Sequence, residues 1–161
     1  RASYSHSHYI KDGIVSILLE VSEFCDALSQ WAEKQDDVKA LALVGSHARR
    51  AAKATSDIDF VLLTKKPQRY LEDVAWARRF GRPLRWVVEN WGRVQSLRVW
   101  YEGGLEVEFG VSDLNWASVP IDKGTRRVIV EGIIVLYEQD GLLTARINTL
   151  GKGCDQHFTT F

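Results

Sequence analysis

Leu41-Ala42-Leu43-Val44-Gly45-Ser46-His47-Ala48-Arg49-Arg50, followed after five residues by Ser56-Asp57-Ile58-Asp59-Phe60-Val61-Leu62-Leu63, is the stretch that decides how this chain folds. The apolar run from Val38 to Val44 reads as a strand stopped by Gly45, whose lack of a side chain lets the backbone approach a ligand closely. Ser46 to Ala54 is rich in alanine and arginine and predicts a helix opened by a serine cap. Asp57 to Thr64 reads as a second strand. Its period of two puts Asp57 and Asp59 on one face, with Ile58 and Phe60 on the other.

Two adjacent carboxylates repel one another unless a cation lies between them. All-oxygen donors of this kind suit Mg²⁺ or Mn²⁺, which retain water and complete their shells with phosphate oxygens. The N–H groups at the expected helix start at Ser46 favour an anion, and Arg49, one turn on, would add a charge-assisted contact. The stretch therefore has the parts for holding a metal–triphosphate complex. A third carboxylate on a neighbouring strand would complete the metal shell or take a proton from an attacking hydroxyl.

Working outward, apolar residues recur at helical spacing from Ile14 to Trp31 and predict a long first helix ending near Gln35. Tyr70 to Arg79 reads as a further helix, closed by Gly81 and Pro83. Three strands are expected at Leu84–Glu89, Val94–Tyr101 and Leu105–Val111, the last two joined as a hairpin by Gly103-Gly104. In that last strand Leu105, Val107, Phe109 and Val111 alternate with Glu106, Glu108 and Gly110, so one face is core and the other carries two carboxylates. The bland alternative for these acids is a salt bridge to Arg98 or another cross-strand base. A helical turn at Asp113–Ala117, a short helix at Arg126–Glu131, a strand at Ile133–Tyr137 and a closing helix at Leu142–Leu150 complete the reading. Helices interleaved with strands, one pair a hairpin, predict an α/β (α+β) fold: a mixed sheet with helices packed on it.

The motif Gly45-Ser46, ten residues, Asp57-Ile58-Asp59 resembles the nucleotidyltransferase superfamily that includes DNA polymerase β and the antibiotic nucleotidyltransferases, and is most similar to its minimal bacterial members. The resemblance spans Val38 to Thr64, and Glu106-Val107-Glu108-Phe109 resembles the later strand that carries the third acid. It implies that Asp57 and Asp59 bind Mg²⁺ or Mn²⁺, that Gly45, Ser46 and Arg49 line the triphosphate site, and that the third acid is a metal ligand or base. Glu108, followed directly by Phe109, is assigned that role, with Glu106 as the alternative. Arg50 stands where many members have glycine, and the third acid is Glu rather than Asp. The implied activity is transfer of a nucleoside monophosphate, AMP from ATP foremost, to a hydroxyl of a small molecule or protein, releasing pyrophosphate. An antitoxin-like protein-adenylylating enzyme and a catalytically idle nucleotide- or partner-binding module are the alternatives.

Length and composition fit this frame. The 161 residues, 45% of them apolar, suffice for one domain with a real core. Residues 1–9 are expected as a polar tail and 118–161 as a C-terminal extension. The charge balance, 21 acids against 21 Lys and Arg, argues against nucleic acid as partner, since that surface needs a basic excess. Cys25 and Cys154 match no metal or redox spacing, and no apolar run reaches membrane-span length, so a cytoplasmic location is expected. A second subunit or the C-terminal segment is expected to complete the acceptor site. Most of the six tryptophans are expected in packing, with Trp116 a candidate for base stacking; His47 is expected at the surface.

Overall fold

In the computed structural model, residues 6–151 are described, with side chains from Glu20 onward. The elements are α1 (His6–Glu33), β1 (Val38–Val44), α2 (Gly45–Ala48), β2 (Ile58–Thr64), α3 (Pro67–Glu72), β3 (Pro83–Asn90), β4 (Gln95–Tyr101), β5 (Glu106–Ser112), α4 (Lys123–Glu131), β6 (Ile134–Glu138) and α5 (Leu142–Gly151). Single 3₁₀ segments cover Val74–Phe80 and Leu114–Ala117. The six strands form one sheet in the order β3-β4-β5-β2-β1-β6. Only the β2–β5 pairing is parallel, so the sheet is mixed, as the sequence predicts.

Alternation along the strands gives the sheet two working faces. On one, Ile58, Phe60, Leu62, Leu97, Val99, Val107 and Phe109 are sealed by α1, α3 and the Val74–Phe80 segment. Phe24 of α1 lies against Phe60, with ring centroids 5.8 Å apart, and Trp31 stacks on Trp76 at 4.9 Å. Burying one such ring stabilises the fold by about 2–3 kcal/mol. On the other face Ala40, Ala42, Val44, Val61 and Leu63 are covered by Trp116, Ile129, Leu143 and Ile147 from the C-terminal elements. Small residues on β1 let these elements come close. On the β5-β4-β3 half of this face Ser96, Gly110 and Ser112 are buried, while Arg98, Trp100, Glu106 and Glu108 are half-buried.

The hairpin forms as expected: Gly103 and Gly104 take φ of 94° and 92°, which only glycine adopts readily. At the end of the sheet away from Gly45, buried Asp37 accepts hydrogen bonds from Thr64 Oγ1, Tyr70 Oη and Arg69 Nη1, tying β1, β2 and α3 together. Burial alone would raise the Asp37 carboxyl; the hydrogen bonds from Tyr70 and Thr64 and the charge of Arg69 hold it below its usual range.

Several boundaries differ from expectation. Helix α1 opens at His6 rather than Ile14. The helix expected over Tyr70–Arg79 is two pieces, because Asp73 takes an extended conformation and its carboxylate caps the second piece at Ala75 N. Helix α4 begins at Lys123, three residues early, because the Asp122 carboxylate accepts from the N–H groups of Gly124 and Thr125. Strand β6, in the segment after 118, pairs with β1 as the other edge of the sheet. No helix among the described residues is long and apolar enough to cross a membrane; Cys154 lies outside the described residues.

Candidate active site

Val44 is the last residue of β1, and its partner in β2 is Asp59. The chain turns at Gly45 with φ +69°, and a Cβ added there would lie 2.2 Å from Asp59 Oδ2. Glycine is thus required twice over, by its left-handed backbone and by the carboxylate lying against it. The helix that follows is far shorter than expected. It spans Gly45–Ala48, with Val44 rather than Ser46 at its N-cap and no side-chain cap. It ends because Arg50 takes a left-handed φ of 57°, the conformation glycine would adopt most readily there. Helix propensity in Ala51–Ala54 yields to the need to bring Asp57 back beside β1. Four residues carry little macrodipole, so an anion here would depend on the Gly45–Ser46 N–H groups, the Ser46 hydroxyl and the charge of Arg49.

The parallel pairing of β2 with β5 sets Asp59 directly opposite Glu108. Asp57, just before β2, completes the group: one oxygen each from Asp57, Asp59 and Glu108 lies within 4.8 Å of the others, and all three side chains are half-buried. Burial and repulsion from Asp57 and Glu108 push the Asp59 carboxyl up to about 7, against opposing pulls from Arg98 and Arg49. Three convergent oxygens, one of them held reluctant to ionise by its neighbours, fit the donor set of a hard divalent cation.

Arg98 of β4 sits among these acids. Its partners across the strands are Glu108 on β5 and Val87 on β3. The guanidinium donates to Asp57 Oδ2 at 3.0 Å, Glu106 Oε1 at 2.7 Å and Glu89 Oε2 at 3.3 Å, and closely to Glu108. Burial alone would lower its pKa, but Glu106, Glu108, Asp57 and Glu89 together raise it above the usual arginine value. The salt bridge weighed against a catalytic Glu108 is therefore present, and it involves Glu106, Asp57 and Glu89 as well. Glu106 lies two residues earlier than Glu108, at the start of β5 opposite Trp100, and is outside the three-oxygen group.

Arg49 caps α2, reaches Glu131 Oε2 at 3.8 Å and lies close enough to Asp59 to lower its pKa. Ser46 is half-buried at the same turn. His47, expected at the surface, is buried; its Nε2 has no hydrogen-bond partner among the described residues, and burial lowers its pKa. The turn packs against β2, which sequence polarity alone does not reveal. Trp116 is buried in the second core rather than open to a base, and Arg127 pairs with Glu131 along α4. The contribution that motif reading underrated is Arg98. The signal available was a lone arginine on the strand hairpinned to the two-glutamate strand.

Residues 19–98 match a family model described as streptomycin adenylyltransferase. No curated protein matches the chain. Among solved structures, an aminoglycoside 6-adenyltransferase from Bacillus subtilis is similar at 14% identity and TM-score 0.46, over 57% of this chain and 34% of that one. The Cid1 poly(U) polymerase is similar at 13% identity and TM-score 0.48, over 79% and 40%. A CCA-adding enzyme in its apo form is similar at 15% identity and TM-score 0.47, over 83% and 32%. The chain thus spans 32–40% of the length of these proteins. With Gly45-Ser46 and Asp57-Ile58-Asp59 at one strand end, a third acid on the adjacent parallel strand, and the family match across the motif, the chain has the fold and the acid motif of the nucleotidyltransferases.

Proposed function

We propose that residues 1–161 form a single catalytic domain that moves a nucleoside monophosphate, AMP foremost, from a triphosphate to a hydroxyl of a small-molecule or protein acceptor. The observation that carries this reading is the convergence of Asp57, Asp59 and Glu108 beside the Gly45 turn. Asp57, Asp59 and Glu108 would hold Mg²⁺ or Mn²⁺, which when bound supplies charge neutralisation at the phosphates. The Gly45–Ser46 N–H groups, the Ser46 hydroxyl and Arg49 would hold the outer phosphates, which leave together. Gly45 keeps that turn tight against Asp59.

The acceptor oxygen bonds to the α-phosphorus while the bond from that phosphorus to the bridging oxygen breaks, and pyrophosphate leaves with the electron pair. Glu108 receives the acceptor's proton. Arg98, bonded to Glu108 and Asp57, holds both side chains at the cluster. The match to an adenylyltransferase family supports AMP as the transferred group. Such a reaction needs ATP and Mg²⁺, and the location proposed for it is the cytoplasm.

The test is incubation with each of the four triphosphates, labelled at the α-phosphorus, against hydroxyl-bearing small molecules and proteins. Transfer of the α-label from ATP with matched pyrophosphate release is expected. Triphosphate binding without transfer or pyrophosphate release to any acceptor would favour an idle binding module instead.

A further inference from the structure

Seven large apolar side chains are exposed among the described residues, and five of them, Leu84, Trp86, Val87, Val88 and Trp91, lie on or just after β3. That strand is one edge of the sheet. Its register with β4 runs without a break from Arg85 to Asn90. The register irregularity of this pairing, between Pro83 and Arg85, lies at the start of the strand, as does its one proline. Natural sheets blunt such edges with bulges, inward charges or a covering element; here the middle of the strand is Trp86-Val87-Val88.

The two charges on this strand flank its centre. Arg85 and Glu89 lie two residues either side of Val87 and so point to the same face. Arg85 is held over that face by stacking its guanidinium on the Trp100 ring, 3.8 Å from the centroid. Glu89 is held there by Arg98 Nε. When β3 is laid antiparallel against a second β3 with the twofold at Val87, Arg85 falls opposite Glu89 and Glu89 opposite Arg85. Trp86 then falls opposite Val88 on the other face. Moving the centre to Trp86 sets Arg85 against Val87, and moving it to Val88 sets Glu89 against Val87. Only the Val87 register pairs both charges and both apolar positions.

We propose that β3 is a homodimer seam: two copies of the chain join β3 to β3, centred on Val87, into one twelve-stranded sheet. The interface is isologous, as a twofold requires. Its axis is perpendicular to the sheet, so both acid clusters face the same side. Each β5 lies five strand spacings from its copy, about 24 Å. Glu89 joins the seam to the site, because it faces the partner's Arg85 position on one side and its own Arg98 on the other. This inference does not depend on the reaction proposed above.

Light scattering after size exclusion, across a micromolar concentration series, tests it. The wild-type chain, 18.3 kDa, should elute at twice that mass. Arg85→Glu sets Glu against Glu twice across the twofold, and Glu89→Arg sets Arg against Arg twice; each should be monomeric. A one-to-one mixture of these two variants restores both opposite pairs and should elute as a dimer, a result that local misfolding cannot produce. Val87→Lys places two cations on the axis and should also be monomeric. A wild-type chain that stays monomeric, variants that remain dimeric, or a mixture that stays monomeric would each overturn the proposal.

Discussion

Replacing Asp59 by asparagine should stabilise the metal-free protein at alkaline pH. The Asp59 carboxyl is pushed to about 7 in the folded protein, by burial first and then by Asp57 and Glu108, against about 3.9 in an unfolded chain. Between those values the folded state binds more protons than the unfolded state, so stability falls as pH rises through the window and stays low above it. A difference of about 3 pK units corresponds to about 4 kcal/mol at most. Charges that rearrange around Arg98 reduce it, so the expected gain for Asp59→Asn at pH 8 is about 1–4 kcal/mol. At the acid end of the window, where Asp59 is protonated in both states, the gain should vanish. The assay is urea unfolding from pH 4 to 8 in the presence of a chelator. A chain of this size shifts its melting temperature by about 2–4 °C per kcal/mol, so thermal scans give a second reading. If Asp59→Asn is no more stable than wild type at pH 8, and both show the same pH slope, the crowding of carboxylates at this site is not as described.

Three further outcomes bear on separate parts of the site. Glu108→Gln should lower turnover by about a hundredfold or more with little effect on triphosphate affinity, while Glu106→Gln should be mild, as steady-state kinetics will show; a crippled Glu106→Gln would exchange their roles. Gly45→Ala should cost about 1–2 kcal/mol in thermal or urea unfolding for its left-handed backbone alone, and should also weaken Mn²⁺ binding, because the new Cβ drives Asp59 away. Unchanged Mn²⁺ affinity there would separate the turn from the acids. Ser46→Ala should weaken triphosphate binding by about 1–2 kcal/mol in calorimetry and leave monophosphate binding unchanged; equal losses for both would remove Ser46 from the outer phosphates.

What could be read from the sequence follows from how local each feature is. The faces of β2 and β5 follow from period two alone, so Asp57, Asp59 and the two glutamates could be placed before any coordinates. Which glutamate meets Asp59 depends on the β2–β5 register, a long-range fact; the pattern Glu108-Phe109 pointed to it only through family resemblance. The hairpin at Gly103-Gly104 put Arg98 beside the acids in principle, but its bonds to Asp57 and Glu89 require the whole order β3-β4-β5-β2. Helix α2 was overextended because propensity favoured Ala51–Ala54, whereas the short return to β2 forces Arg50 into a left-handed turn. His47 was misplaced for a related reason: a polar residue in a tight turn is buried when that turn packs on a strand. Strand β6 was seen, but nothing local says that it lies against β1.

In the proposed function Asp57, Asp59 and Glu108 form a divalent-cation site used with a nucleoside triphosphate. Titration of Mn²⁺ into the wild-type chain and the Asp57→Asn/Asp59→Asn variant, with and without a nonhydrolysable ATP analogue and followed by electron paramagnetic resonance, tests it most directly. The wild-type chain should bind Mn²⁺, and bind it more tightly with the analogue present, while the double variant keeps its fold by circular dichroism and loses that binding. Equal Mn²⁺ binding by the two proteins, with or without the analogue, would contradict the account.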